Sequence, residues 1–340
     1  MVFKRLLGSL GVGAPTVDTV LEPVAALPGG TLRGEVRLKG GNADYDIEQI
    51  TLELVARVEA EHEDGEAEGT VAFDRVSVGG GFRLAEGAEQ TVPFAVTLPW
   101  ETPVTELHGQ PLGVVLGVRT ELEVSGAKDK GDLDALAVAP LPAQAAVLEA
   151  LGQLGFGFAS ADLELGHIHG TGQQLPFYQE IELSPAPQYA GALNELEVTF
   201  LASPAGLEVI LEADKRGSGL FGQFGGGDAL NRHTVPHEGV EQRDWAAEVD
   251  AWVRTLVDAR ASHAGHGAPY GGHFGGHGDP YGGHAYKDEH HGEHGRSGPG
   301  MGTAIAAGAA GLAVGVVGGM VAAEVVDEIG DAFEGDEDEG

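Results

Sequence analysis

Between Thr16 and about Ala139, apolar and polar residues alternate along the chain. The segment Thr51–Glu59 shows this most clearly, because Leu, Ala and Val occupy every second position. A period of two is the repeat of a β-strand, whose successive side chains point to opposite faces. Turn-forming residues separate the alternating segments, at 28–30, 40–42, 63–65 and 79–81. About seven strands at this spacing predict an antiparallel β-sandwich over residues 1–139.

One of these segments contains a proline. Thr91–Leu98 alternates like the others, but Pro93 lies inside it. Because proline has no amide hydrogen to donate to a neighbouring strand, it is confined to edge strands and bulges. We therefore expect this segment to be an edge strand or to contain a bulge.

The chain begins with a short amphipathic segment. Phe3, Leu6, Leu7 and Leu10 share one face of a helix, and two cations lie among them. We expect a helix or arm that packs onto the first domain; a weak membrane-surface helix is the alternative. A secretory signal has a longer apolar run and a cleavage site of small residues, and neither is recognised here.

A second alternating region follows a break in the pattern. Pro140 and Pro142 end the first region, and helical spacing from Gln144 to Leu154 predicts a linker helix within residues 140–156. Four further alternating segments then predict a second sandwich over residues 157–240. An amphipathic helix is predicted within 241–259, with Asp244 as its N-terminal cap and one apolar face made of Trp245, Val249, Trp252, Val253 and Leu256. The predicted fold class is thus all-β, with two sandwiches, a helical linker, a C-terminal helix and a disordered tail.

Charge and cysteine content exclude several kinds of chemistry. The formal net charge is −34, and such an acidic surface repels phosphate, so we expect no nucleic-acid partner. The chain has no cysteine, which excludes disulfides, thiolate metal sites and cysteine nucleophiles. This composition fits a cytoplasmic protein.

Residues 260–300 are rich in glycine and histidine and cannot bury a core, so we predict a disordered linker. Eight of the 14 histidines lie between His263 and His294. Imidazole binds Zn, Ni and Cu, although ordering a glycine-rich chain opposes binding. Two interpretations are therefore open: a low-complexity linker that binds no ligand, and a metal- or pH-responsive module. No cofactor is predicted. The weak metal candidates are His266, His273, His277, His284, His290, His291 and His294.

Residues 301–323 carry no charge, and 14 of them are glycine or alanine. Gly311, Gly315 and Gly319 are spaced by four, as in the packing faces of membrane helices. Three interpretations remain open: a self-associating or membrane-inserting helix, a loosely ordered apolar tail, and a helix docked onto this protein or a partner. The acidic tail, 324–340, follows.

Motifs for catalysis or nucleotide binding are weak. Gly217–Gly222 fits G-x-G-x-x-G, but the glycines after it make a poor helix and no βαβ unit surrounds it, so we interpret it as a loop. Asp214 precedes Lys215 and Arg216, which favours a structural ion pair over a partner contact. No hydrolase signature is found, and we predict no catalytic residues and no enzyme.

Several short segments together resemble a known family. Phe3–Leu7, Gly11–Ala14 and Val17–Leu21 resemble the start of the bacterial sporulation-control (SpoOM) family, and five later segments follow its pattern: Lys39–Gly41, Leu148–Phe156, Phe177–Glu180, Leu193–Val198 and Glu212–Gly217. The resemblance covers about residues 1–245. It implies an arrestin-like pair of sandwiches, a regulatory role in sporulation or morphological development, and no catalytic residues.

From the residues and the resemblance together, we expect a cytoplasmic regulatory scaffold that binds protein partners. Two alternatives stay open. One is a membrane-associated adaptor tethered through residues 301–323. The other is a metal- or pH-responsive module that works through the histidines of residues 260–300.

Overall fold

The computed structural model describes residues 13–62, 65–125, 130–213 and 231–264. Most of them lie in β-strands, as the alternation predicts. The strands are β1 (Thr16–Leu21), β2 (Thr31–Lys39), β3 (Tyr45–His62), β4 (Gly65–Gly79), β5 (Phe82–Leu84), β6 (Glu89–Thr97), β7 (Glu106–Leu107), β8 (Gln110–Pro111), β9 (Leu116–Val124), β10 (Lys130–Ala135), β11 (Gly157–Leu165), β12 (Phe177–Ser184), β13 (Leu196–Ser203), β14 (Gly206–Ala213) and β15 (Asn231–Val235). The helices are α1 (Pro142–Leu154), a 3-10 turn (Val240–Gln242) and α2 (Trp245–Ala264).

The N-terminal half is a sandwich of two sheets. Strands β1, β2 and β6 form a three-stranded antiparallel sheet, which shares one apolar core with β3 and β9 of a second sheet. Val36 from the first sheet and Ile50 and Val118 from the second are completely buried there. β6 lies at the edge of its sheet, so the edge-strand prediction for the segment with Pro93 is confirmed.

The C-terminal half has a different architecture from the second sandwich that the sequence predicts. Within the described residues, β11 to β15 form one antiparallel sheet, and its apolar face packs against α1 and α2 rather than against another sheet. The physical reason is that both helices supply apolar stripes. Val147 of α1 and Val249 and Val253 of α2 have no exposed surface and cover the strands.

Helix α1 is therefore part of a core and not only a connection between halves. It begins at Pro142, a residue well suited to the first turn because its missing amide hydrogen would have no partner there. It ends at Leu154 and is capped by Gly155, whose φ of 96° is a left-handed conformation that favours glycine. The Gln144 side chain accepts a hydrogen bond from the Leu141 amide at 2.8 Å and satisfies one buried donor before the helix.

Helix α2 matches the predicted C-terminal helix and runs beyond it to Ala264. Asp244 caps it, because its carboxylate accepts a hydrogen bond from the Ala247 amide at 3.2 Å. Its aromatic residues lie at the edge of the core, where the Trp252 ring stacks on His233 of β15 at 4.3 Å between ring centroids. Within the described part of the chain, no helix is both long and apolar enough to cross a membrane.

The two halves share one sheet. The described strands run in the order β10-β9-β3-β11-β12-β13-β14-β15, and β3 meets β11 in a parallel bridge between Glu59 and Glu164. Leu163 and Phe177 belong to β11 and β12 but are buried in the core of the N-terminal sandwich. The Phe177 ring meets that of Phe73 edge to face, with 5.6 Å between centroids. The halves are therefore joined by a shared core and not only by the chain.

Candidate functional site

The face of the C-terminal sheet that points away from both helices carries many carboxylates. Neighbouring strands bring them together, because residues directly opposite each other in a sheet point to the same face. Asp162 lies opposite Glu180, Glu182 opposite Glu197, and Glu197 opposite Glu212. We call this set the acidic face, and its members are Asp162, Glu164, Glu180, Glu182, Glu197 and Glu212.

Three of these residues form a compact group. Asp162, Glu164 and Glu180 each offer one carboxylate oxygen within 4.8 Å of the others. Glu180 is buried, with 4% of its surface exposed, and the other two are partly buried. Carboxylate oxygens in such a group suit a hard divalent cation such as Ca²⁺, or the ammonium or guanidinium group of a basic side chain.

The carboxylates of the acidic face affect each other's protonation. Burial, together with the negative charges of Glu180 and Glu164, raises the pKa of Asp162 to about 7. Burial also raises the pKa of the Tyr178 hydroxyl, with Glu180 again adding to the effect. Near neutral pH, Asp162 therefore holds a proton for part of the time, which lowers the repulsion between the acidic side chains.

The sign of the pH effect follows from the raised pKa of Asp162. A carboxyl group with a higher pKa in the folded state stabilises the fold fully at low pH, and this stability is lost as the pH rises towards 7. We expect Asp162→Asn to raise the free energy of unfolding by about 1–2 kcal/mol at pH 8, and by less at pH 5. Urea unfolding at both values measures this.

Glu123→Gln is the matched control, since Glu123 is exposed and lies outside the acidic face. It is expected to change the free energy of unfolding by less than about 0.5 kcal/mol at either pH. An Asp162→Asn variant that is no more stable than the native chain at pH 8 would contradict the assignment.

A second charged group lies in the N-terminal half. Glu53 is buried and accepts hydrogen bonds from Arg75 at 2.8 Å and from Arg119 at 2.9 Å. Beside them is an open groove of about 480 Å³, also lined by Glu121 and Lys130. Two arginines around one buried carboxylate satisfy its oxygens, so the loss of either arginine would leave buried negative charge without a partner.

The sequence-predicted site residues and the acidic face do not coincide. All seven candidate histidines lie outside the described residues, and so do Asp214, the segment 217–222, the N-terminal segment 1–12 and residues 301–340. The signal for the acidic face was present in the alternation of Asp162 and Glu164 and of Glu180 and Glu182. Only the pairing of β11 with β12 shows that these residues share one face.

Comparison with known proteins places this fold in a family. Residues 3–217 match the SpoOM protein family, which is more than half of the chain, so the chain belongs to that family. It is 37% identical over 253 residues to the sporulation-control protein spo0M of Bacillus subtilis (strain 168), covering 73% of this chain and 95% of the relative. It also resembles the crystal structure of Spo0M from Bacillus subtilis, with a TM-score of 0.64 and 34% identity over 73% of this chain and 99% of that one.

Proposed function

We propose that this protein is a non-catalytic regulator of sporulation or a related developmental process, and that it acts by binding other proteins. One observation carries the proposal. The chain aligns with 95% of the length of a sporulation-control protein at 37% identity. The match thus extends over nearly the whole relative and not over one shared module.

The architecture supports a scaffold that acts as one body. The two halves share a core, and buried contacts at their junction fix how they lie relative to each other. Glu101 of the N-terminal half accepts hydrogen bonds from the backbone amides of Gln174 and Leu175 of the C-terminal half, at 2.7 and 2.8 Å. A rigid body presents its surfaces in a constant arrangement, which lowers the entropic cost of binding a partner.

Charge indicates which partners are preferred. At a formal net charge of −34, the surface attracts basic protein segments and repels nucleic acids. We therefore propose protein partners with basic surfaces, and no nucleic-acid partner.

Complementation tests the regulatory role. A Bacillus subtilis strain that lacks its spo0M protein is given this chain, and heat-resistant spores are counted. We expect the spore yield to return towards that of the parent strain. A chain that accumulates in folded form but leaves the yield unchanged would overturn the proposal.

Affinity purification with crosslinking tests the mechanism in the organism that produces this chain. The expected result is a protein partner that is recovered with the native chain and released by moderate salt, as expected for binding between opposite charges. Recovery of nucleic acid instead, or turnover of a small molecule by the purified chain, would contradict a non-catalytic protein-binding role.

Two alternatives rest on residues outside the described ones and remain predictions. A membrane-associated adaptor would move to the soluble fraction when residues 301–340 are removed. A metal-responsive module would bind Zn or Ni more tightly than a chain whose tail lacks the seven candidate histidines.

A further inference from the structure

One side of the N-terminal sandwich is closed by polar contacts between two strand edges. There β1, at the edge of the three-stranded sheet, lies against β10, at the edge of the ten-stranded sheet. The Asp132 carboxylate accepts a hydrogen bond from the Thr19 amide at 2.6 Å. The hydroxyl groups of Thr19 and Thr120 share a second hydrogen bond of 2.6 Å, and both threonines are buried.

A second carboxyl group lies beside the Asp132 side chain that binds β1. Asp134 follows Asp132 by two residues on β10, so both side chains point to the same face. The Asp134 Oδ2 atom is buried and has no hydrogen-bond partner among the described residues. Asp18, next to Thr19 on β1, is largely exposed, but its negative charge acts on Asp134.

The cations near this seam pair with carboxylates other than Asp132 and Asp134. Arg37 of β2 lies 3.9 Å from Asp18, but it also pairs with Glu35 at 2.6 Å. Arg119 of β9 is engaged by the buried Glu53. On β9 the residues directly opposite Asp132 and Asp134 are Thr120 and Val118, which carry no charge. Lys130, on β10 itself, forms no ion pair with either aspartate among the described contacts.

Protonation reduces the repulsion at the seam. Burial, together with the negative charges of Asp132 and Asp18, raises the pKa of Asp134 to about 7. A protonated Asp134 can donate a hydrogen bond to Asp132, and this would hold Asp132, the acceptor of the Thr19 amide, in place. An ionised Asp134 repels Asp132 instead, within a partly buried site where screening by water is weak.

We propose that the pair Asp132 and Asp134 is a proton-dependent latch that holds strand β1 against the ten-stranded sheet. With a proton on Asp134, the Thr19 amide stays bound to Asp132 and the sandwich is closed on this side. When Asp134 is ionised, β1 loosens and the edges of β1 and β10 are exposed. The backbone bonds between Ala26 and Ala137 and between Ala139 and Ala26, at 2.9 and 2.8 Å, keep the chain anchored just beyond β1.

Hydrogen exchange of the full chain tests the latch. The protection of amides in residues 16–21 is measured by mass spectrometry from pH 5.5 to 8.5, after correction for the intrinsic exchange rate. In the native chain we expect protection to fall by about fivefold or more across neutral pH. In Asp134→Asn, which cannot ionise, protection is expected to remain constant.

Two further variants make the result specific. Asp162→Asn removes an aspartate whose pKa is also raised to about 7 but which lies far from the seam on the C-terminal sheet, so it should leave the exchange profile of β1 unchanged. Asp18→Asn removes a neighbouring negative charge, eases the ionisation of Asp134 and should move the loss of protection to lower pH.

The latch is overturned if the native chain shows constant protection, if Asp134→Asn keeps the native pH dependence, or if Asp162→Asn abolishes it. Should Asp134→Asn fail to fold, the direction of the shift in Asp18→Asn decides, because Asp18 is largely exposed and its replacement is expected to leave the fold intact. A shift of the transition to higher pH, or no shift, would overturn the latch in that case.

Discussion

Replacement of Phe177 by alanine is expected to lower the free energy of unfolding by about 3–5 kcal/mol. The side chain is 1% exposed and, although it lies on β12, it belongs to the core of the N-terminal sandwich. Its removal leaves a cavity between the two halves and ends the edge-to-face contact with Phe73. Urea or thermal unfolding, followed by circular dichroism, measures the loss.

Phe158 provides the matched control for this variant. It is also a strand phenylalanine of the C-terminal half, but half of its surface is exposed. Because Phe158→Ala removes little buried surface, we expect the free energy of unfolding to change by about 0.5 kcal/mol or less. Equal losses in the two variants would show that Phe177 does not join the halves as the structure indicates.

Gln179→Ala is expected to lower the free energy of unfolding by about 2–4 kcal/mol. The buried Gln179 amide accepts a hydrogen bond from the Val104 amide at 2.9 Å and donates one to the Val104 carbonyl at 2.8 Å. Val104 is 1% exposed, so removal of Gln179 leaves a donor and an acceptor in the interior without partners. Chemical unfolding under the same conditions measures this cost.

Gln174 is the control for this second variant. Its side chain is exposed and, within the described part of the chain, hydrogen-bonds only to the nearby carbonyl of Gly172, at 2.7 Å. Its contact with Glu101 uses the backbone amide and is retained in Gln174→Ala. A Gln179→Ala variant as stable as Gln174→Ala would contradict the role of the buried amide.

Both variants also test whether the chain behaves as one cooperative unit. Two domains joined by a flexible linker would unfold in separate steps, and a change at one junction would affect mainly one of them. A shared core predicts instead that Phe177→Ala and Gln179→Ala move a single transition that includes both halves.

The alternation of apolar and polar residues was sufficient to predict β-structure in both halves. It was also sufficient for the edge position of the strand with Pro93, because the missing amide hydrogen of proline is a local property. The apolar stripe of α2 and its Asp244 cap could likewise be predicted, since both depend on neighbouring residues in the chain. The family resemblance rested on short segments in a fixed order, and the match to residues 3–217 confirms it.

What covers each strand could not be predicted in the same way. An alternating strand buries one face, but the pattern does not show whether a sheet or a helix lies on it. Helices α1 and α2 cover the strands around Val198. The alternation alone had led us to expect a second sheet in their place. The continuous sheet through β3 and β11 depends on contacts between residues about a hundred positions apart.

For the acidic side chains too, some properties follow from the sequence and others only from the tertiary structure. The sequence by itself determined that the chain is strongly acidic, lacks cysteine and folds into strands, since these follow from composition and a period of two. Only the tertiary structure decided that Asp162 meets Glu180 and that Asp132 reaches the Thr19 amide. Strand register and burial place these groups together, and both are set by packing between distant segments rather than by the local sequence.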